Sequence, residues 1–249
     1  MLLIKLRLYI FQLLEKVLSL FSYRVCKKCK SKIQEKYLFI CKDCIRAQSA
    51  WINLKSFQDF DSKLKIYFLF RYSDKLIRKL ILDLKNNQAE LAYFWGLALS
   101  EFLIYLFNSK INRNIYISYV PISTEKFNTR RYNQAELIAK YFYKFLRKRK
   151  FKQEIKLVEN LFYRIKNTEP LYKLNSEERR NELSKAFELN PKYIPLIKNI
   201  SEKRENIILI IDDISTTGNT LVKLSELITA IDFPQERILG FSCTGRNFN

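Results

Sequence analysis

The sequence predicts an α/β protein in which a parallel sheet is flanked by helices and preceded by a small four-cysteine zinc knuckle. Three observations carry that expectation. Apolar runs of strand length, 65–72, 114–123, 206–211 and 237–244, alternate with segments whose apolar residues recur at helical spacing. Four of the five cysteines stand in two C-x-x-C pairs. One strand, "IILII", is apolar at every position, as in a sheet covered on both faces, and it runs into two aspartates.

The first segment, "MLLIKLRLYIFQLLEKVLSLF", has apolar residues at helical intervals but is broken by Lys5, Arg7, Glu15 and Lys16. It is too interrupted for a membrane span of about 20 residues, and no small-residue cleavage site follows it. Residues 1–22 are therefore expected to form an amphipathic helix docking on its own protein. Contact with a partner or a membrane surface is the alternative.

Residues 23–48 form the expected zinc module. Cys26 and Cys29 make one knuckle and Cys41 and Cys44 the other, with eleven residues between them. Four thiolates close a tetrahedral site and leave no open position, so zinc here would be structural. A disulfide pair is the alternative, disfavoured without a secretion signal. The surrounding lysines, 27, 28, 30, 32, 36 and 42, either balance the charge of the site or meet phosphates. "AQSAWINLKSFQDFDS" reads as a linker, and the main domain is placed at 60–249.

Within that domain, 65–72 reads as a strand. A helix follows with Leu76, Ile77, Leu80, Ile81 and Leu84 on one face and Ser73 or Asp74 as cap. "QAELAYFWGLALSEFLIYLFNS" is a buried core helix interrupted by Glu90 and Glu101. The strand at 114–123 ends near Pro121, "TEKFNTRRY" is a loop, and a helix begins near Asn133, with Glu136 completing a capping-box pattern. "EIKLV" is a further short strand, and Asn175 with Glu178 repeats the cap pattern. "NIILII", "TLVKLSELITAI" and "RILGFSCT" form strand, helix and closing strand. Cys243 is read as a buried small hydrophobe.

Ligands in such sheets sit beyond the carboxyl ends of strands, and Asp212 and Asp213 are expected at the carboxyl end of this one. The turn "ISTTGNT" and the helix after it offer free backbone amides, and Ser215, Thr216, Thr217 and Thr220 add hydroxyls. The carboxylates repel phosphate, but they accept hydrogen bonds from sugar hydroxyls or help hold a divalent cation. The combination suits a phosphate with a vicinal diol beside it, as in ribose 5-phosphate. The chain has no histidine, which excludes imidazole bases and His-ligated metals.

"IILIIDDISTTGNTL" closely resembles the phosphoribosyl-pyrophosphate signature of type I phosphoribosyltransferases. That resemblance implies a type I phosphoribosyltransferase-like sheet. Asp212 and Asp213 would meet the ribose hydroxyls, and Ser215, Thr216, Thr217, Gly218, Asn219 and Thr220 the 5-phosphate, with Mg accompanying phosphoribosyl pyrophosphate. "VPIS", "RRYNQAELIAK" and "EERRNELSKAF", in that order behind a four-cysteine knuckle, resemble the ComF family, which is associated with DNA uptake in natural transformation. Arg131 stands where that family commonly has glycine. Leu171 replaces a glutamine after Thr168. Lys85 matches a family lysine, but Asn86 replaces the aromatic that follows it. Arg130 and Arg131, on the loop after Val120-Pro121-Ile122-Ser123, could close over pyrophosphate, or they are solvated or paired charges. Asn133 and Gln134 are ligand contacts or a cap with a core contact. The resemblance implies a cytoplasmic, ligand-binding or DNA-processing role with competence machinery as partner. A metabolic phosphoribosyltransferase, or a zinc-knuckle nucleic-acid binder with a vestigial site, is the alternative.

Lysine plus arginine outnumber acids 45 to 25, a formal charge of +20. That bias suits an anionic partner, although a residue usage rich in Lys, Ile and Asn gives the same total. Ten basic residues against Glu125 and Glu136 fall between 124 and 152. "KYFYKFLRKRKFK", with Lys148, Arg149 and Lys150, interleaves bases with aromatics, as single-stranded DNA contact would require, or it is a helix with an aromatic core face.

Overall fold

The computed structural model describes residues 24–33, 39–41, 43–45, 64–107, 112–149, 151–165 and 186–245. The expected N-terminal helix at 1–22, the cap at Asn175 and Glu178, Thr168, Leu171, Lys36, Lys42 and Lys150 lie outside the described residues. Among the described residues no helix is long and apolar enough to cross a membrane.

The elements, in chain order, are β1 (Arg24–Val25), β2 (Lys32–Ile33), β3 (Lys65–Arg71), α1 (Lys75–Lys85), α2 (Leu91–Leu106), β4 (Asn114–Tyr119), α3 (Thr124–Arg130), α4 (Gln134–Lys148), β5 (Ile155–Leu157), β6 (Phe162–Arg164), β7 (Phe187–Leu189), α5 (Ile194–Ser201), β8 (Asn206–Ser215), α6 (Asn219–Thr229) and β9 (Ile238–Gly245). Five strands form one sheet in the order β3-β9-β8-β4-β5, and every pairing in it is parallel. The expected α/β architecture is present. β8 lies at the centre, and its fully apolar stretch is buried as predicted. β9, the last strand, inserts between β3 and β8 instead of closing an edge.

Local chemistry sets the elements. Asp74 caps α1, its carboxylate accepting from the amides of Leu76 and Ile77 at 3.0 and 3.1 Å. Ile77, Leu80, Ile81 and Leu84 of α1 are buried. α2 is apolar almost all round and crosses α4 at Gly96, where a Cβ would lie 2.5 Å from the Tyr141 Cβ, so only glycine permits that approach. The knuckle packs on the same body. Phe39 meets Phe94 edge-to-face at 5.7 Å, and Lys28 pairs with Asp74 at 2.6 Å.

Two expectations change, and one element was not foreseen. "TEKFNTRRY" is not all loop: Thr124–Arg130 is helical, because the Ser123 hydroxyl accepts from the Lys126 amide, Glu125 lies in the first turn and Arg130 in the last. The capping box at Asn133 is half made. Asn133 accepts from the Ala135 amide at 3.0 Å, while Glu136 turns away to pair with Lys140 at 2.6 Å. The antiparallel ribbon β6–β7 has three residues per strand, too few to leave a period-2 signature.

Candidate functional site

The chain leaves β4 outward to β5 and leaves β8 in the opposite direction to β9. β4 and β8 are neighbours, so their carboxyl ends flank the switch point of the sheet, where a crevice opens. The two ends are unequal. β4 pairs with β8 as far as Tyr119 opposite Ile211, whereas β9 continues beside β8 to Gly245 opposite Ser215. Asp212 and Asp213 therefore lie at the carboxyl end of β8, as the sequence suggested, among its last four residues. They come after the last Cα-paired residue of the β4 ladder, so the β4 side of the strand is left open there.

Asp212 is buried and Asp213 half-buried. Asp212 accepts from the amide of Asp213 at 2.8 Å, and Asp213 from that of Ile214 at 2.7 Å. Lys85, at the end of α1, reaches Asp213 at 3.1 Å. Burial, then the neighbouring charge of Asp213, pushes the Asp212 carboxyl well above the usual range, and Lys85 pulls it back. Cys243, on β9, is fully buried as expected; burial and then the two aspartates keep it a neutral thiol.

The turn after the pair runs from buried Ser215 through exposed Thr216 and Thr217 to Gly218, with Asn219 and Thr220 half-buried in the first turn of α6. Gly218 is left-handed at φ 79°, and a Cβ there would lie 2.7 Å from Ile66. As N-cap it supplies no side chain, so no side chain of its own competes for the first amides of α6.

Opposite the pair stands a group of cations. Lys126 on α3 has Arg164, Arg130 and Lys85 as cationic neighbours and Asp213 as the acid facing it; desolvation, then those cations, holds its pKa below the usual lysine value. Arg130 donates to the Gln134 side-chain oxygen at 3.1 Å, and Asn133 donates to the Val120 carbonyl at 2.9 Å. Gln134 thus holds an arginine, while Asn133 ties the α4 cap to the end of β4. Tyr132 donates to the Leu84 carbonyl, joining this turn to the end of α1. Arg131 is exposed and left-handed at φ 65°, which explains why glycine suits the position. The sequence reading did not single out Lys126 or Arg164. Lys126 carried a weak signal, lying three residues after Ser123, whose hydroxyl accepts from its amide. Arg164 carried none, because the ribbon alone brings it here.

Of the proposed DNA-contact residues, Arg149 pairs with buried Glu101 and Lys148 lies 5.9 Å over the Phe145 ring. Tyr141, Phe142 and Phe145 of the same helix are buried. The aromatic part of that pattern is core.

The four knuckle sulfurs lie within 4.8 Å of one another. Zinc–sulfur bonds of about 2.3 Å imply tetrahedral edges of about 3.8 Å, and Cys29 and Cys41 stand 3.7 Å apart. The amides of Cys29 and Cys41 approach the Cys26 sulfur at 3.5 and 3.3 Å. The Ser31 hydroxyl, then its amide, lowers the Cys29 thiol to about 6, whereas burial and the other thiols push Cys44 up. Four adjacent thiolates need a cation between them, and the set fits structural zinc.

No family model matches the chain. It is similar to Competence protein F of Haemophilus influenzae, with 24% identity over 227 residues, covering 89% of this chain and 85% of the relative. Together with the order of motifs along the sequence, this similarity supports a distant relationship to the ComF family.

Proposed function

We propose that this protein acts in competence, binding phosphoribosyl pyrophosphate with Mg in the β4–β8 crevice and handling incoming single-stranded DNA in the cytoplasm. One observation carries the ligand: the acidic pair has an uncapped helix start after it in the chain, Lys85 and Lys126 near it in space, and Arg130 and Arg164 beside Lys126. A diol-binding pair between two anion-binding regions suits a ribose with phosphate at one end and pyrophosphate at the other.

In this reading Asp212 and Asp213 accept from the ribose hydroxyls, and Ser215 to Thr220 cradle the 5-phosphate. Mg would neutralise pyrophosphate charge. Lys126, Arg130 and Arg164, with Arg131 at the rim, would stabilise negative charge on a leaving pyrophosphate, which requires no protein nucleophile. Competence comes from the name of the relative, and DNA handling from the charge of the chain. Residues 1–22 remain the one proposed membrane contact.

Calorimetric titration with phosphoribosyl pyrophosphate and Mg tests the ligand. Saturable binding is expected, weakened about ten-fold or more in Asp213→Asn through loss of a charged acceptor. Absence of binding by the unaltered protein overturns the reading. Pyrophosphate release only on addition of a free base would instead assign a metabolic transferase.

A further inference from the structure

We propose that Lys85 is a positioning residue of this site: its ammonium is the resident counter-cation of the Asp212–Asp213 pair and sets how far toward acid the site still binds its ligand. The proposal rests on the ribose-phosphate reading above. The geometry is specific. Lys85 lies in the last turn of α1, where the helix dipole favours a cation, and its Nζ stands 3.1 Å from Asp213, both side chains mostly withdrawn from water at 22% and 14% exposure. The end of α1 is itself held, since Leu84 accepts the Tyr132 hydroxyl. A lysine tethered one residue from that bond has little freedom to leave the pair.

The charged and titratable groups facing the pair come from four elements. Lys85 comes from α1, Lys126 from α3 and Cys243 from β9, and the aspartates themselves lie on β8. Cys243 is a neutral thiol and adds no charge. Lys126 faces Asp213 without an ion-pair contact and has Arg164 and Arg130 as like-charged neighbours; among the described residues Lys85 is the cation in ion-pair contact with the pair. Two neighbouring carboxylates, one of them buried, take up a proton more readily when such a cation is removed. A protonated carboxyl must donate one of the hydrogen bonds the ligand needs it to accept, so affinity falls as pH falls through that titration.

The test uses the full chain, its Lys85→Met and Lys85→Arg variants, and phosphoribosyl pyrophosphate with Mg. Affinity is measured from about pH 5 to 8, alongside carboxyl-carbon NMR titration of the ligand-free proteins. In Lys85→Met the pH at which affinity is half lost, and the titration of one site carboxyl, are both expected to move up by about one pH unit. Lys85→Arg should restore both. Carboxyl titrations of Lys85→Met that superimpose on those of the unaltered protein overturn the proposal, as does equal weakening at every pH. Failure of the unaltered protein to bind the ligand, with the carboxyl titration still displaced, would sink the ligand reading and leave the electrostatic role of Lys85 standing. Lys85 is partly exposed at a helix end, and Lys85→Gln provides a second neutral variant should Lys85→Met fold poorly.

Discussion

The basic stretch from 124 to 152 falls into two halves that look alike in sequence and differ in space. In the first, Lys126 has Arg130, Arg164 and Lys85 as neighbours and faces the acid Asp213. In the second, Arg149 is matched by buried Glu101, and Lys148 lies over Phe145, whose ring packs against Tyr93 at 4.9 Å. Both halves add positive charge to the chain. In one, Lys126 has other cations as neighbours, which lower its pKa; in the other they complete a core helix. Net charge is a property of composition, whereas a binding site is a local failure to pair charges, and the two need not coincide.

Separating the effects of the two halves tests this contrast. The largest expected effect is on stability, in the second half. Arg149→Ala removes an ion-pair partner of a buried carboxylate and should cost about 2 kcal/mol, discounted because the arginine itself is half-exposed; thermal unfolding would show a fall of roughly 5 °C. Phosphoribosyl pyrophosphate affinity should be unchanged. The reverse is expected in the first half: Lys126→Ala or Arg130→Ala should weaken that ligand about ten-fold in calorimetry, with little change in melting. Equal losses of affinity from Arg149→Ala would erase the distinction. The smallest effect is at the hinge between the halves. Arg131→Gly relieves a left-handed arginine and should raise stability by about 0.5–1 kcal/mol in urea unfolding, part of the gain being offset by the greater freedom of glycine in the unfolded chain.

Much of the fold was legible. The buried face of α1 was named residue by residue, because a 3.6-residue period is written in the chain. β8 was recognisable as central from its unbroken apolar run, and the cysteine pairs as one metal site from spacing alone. The small antiparallel ribbon was not legible, since three residues carry no period, and neither was the helical turn at 124–130, which rests on a serine cap and buries no side chain of its own. In the candidate site, Asp212, Asp213 and the turn after them were found because the chemistry is contiguous. Lys85 stood out in the sequence only as a matching motif position; its contact with Asp213 joins residues 128 positions apart. Arg164 was invisible for the same reason.

Local chemistry thus determined which segments are strands and helices, that four thiols would converge, and that an acidic pair would precede a phosphate-sized turn. These depend on residues within a few positions of one another. Tertiary structure alone decided that β4 stops where β9 continues, which opens one side of the pair. It also decided which of many lysines and arginines face that opening and which are spent on a buried glutamate or an aromatic ring. Such choices follow from strand order and helix packing, where charges far apart in the chain meet at ion-pair distance and their Coulomb interaction first becomes appreciable.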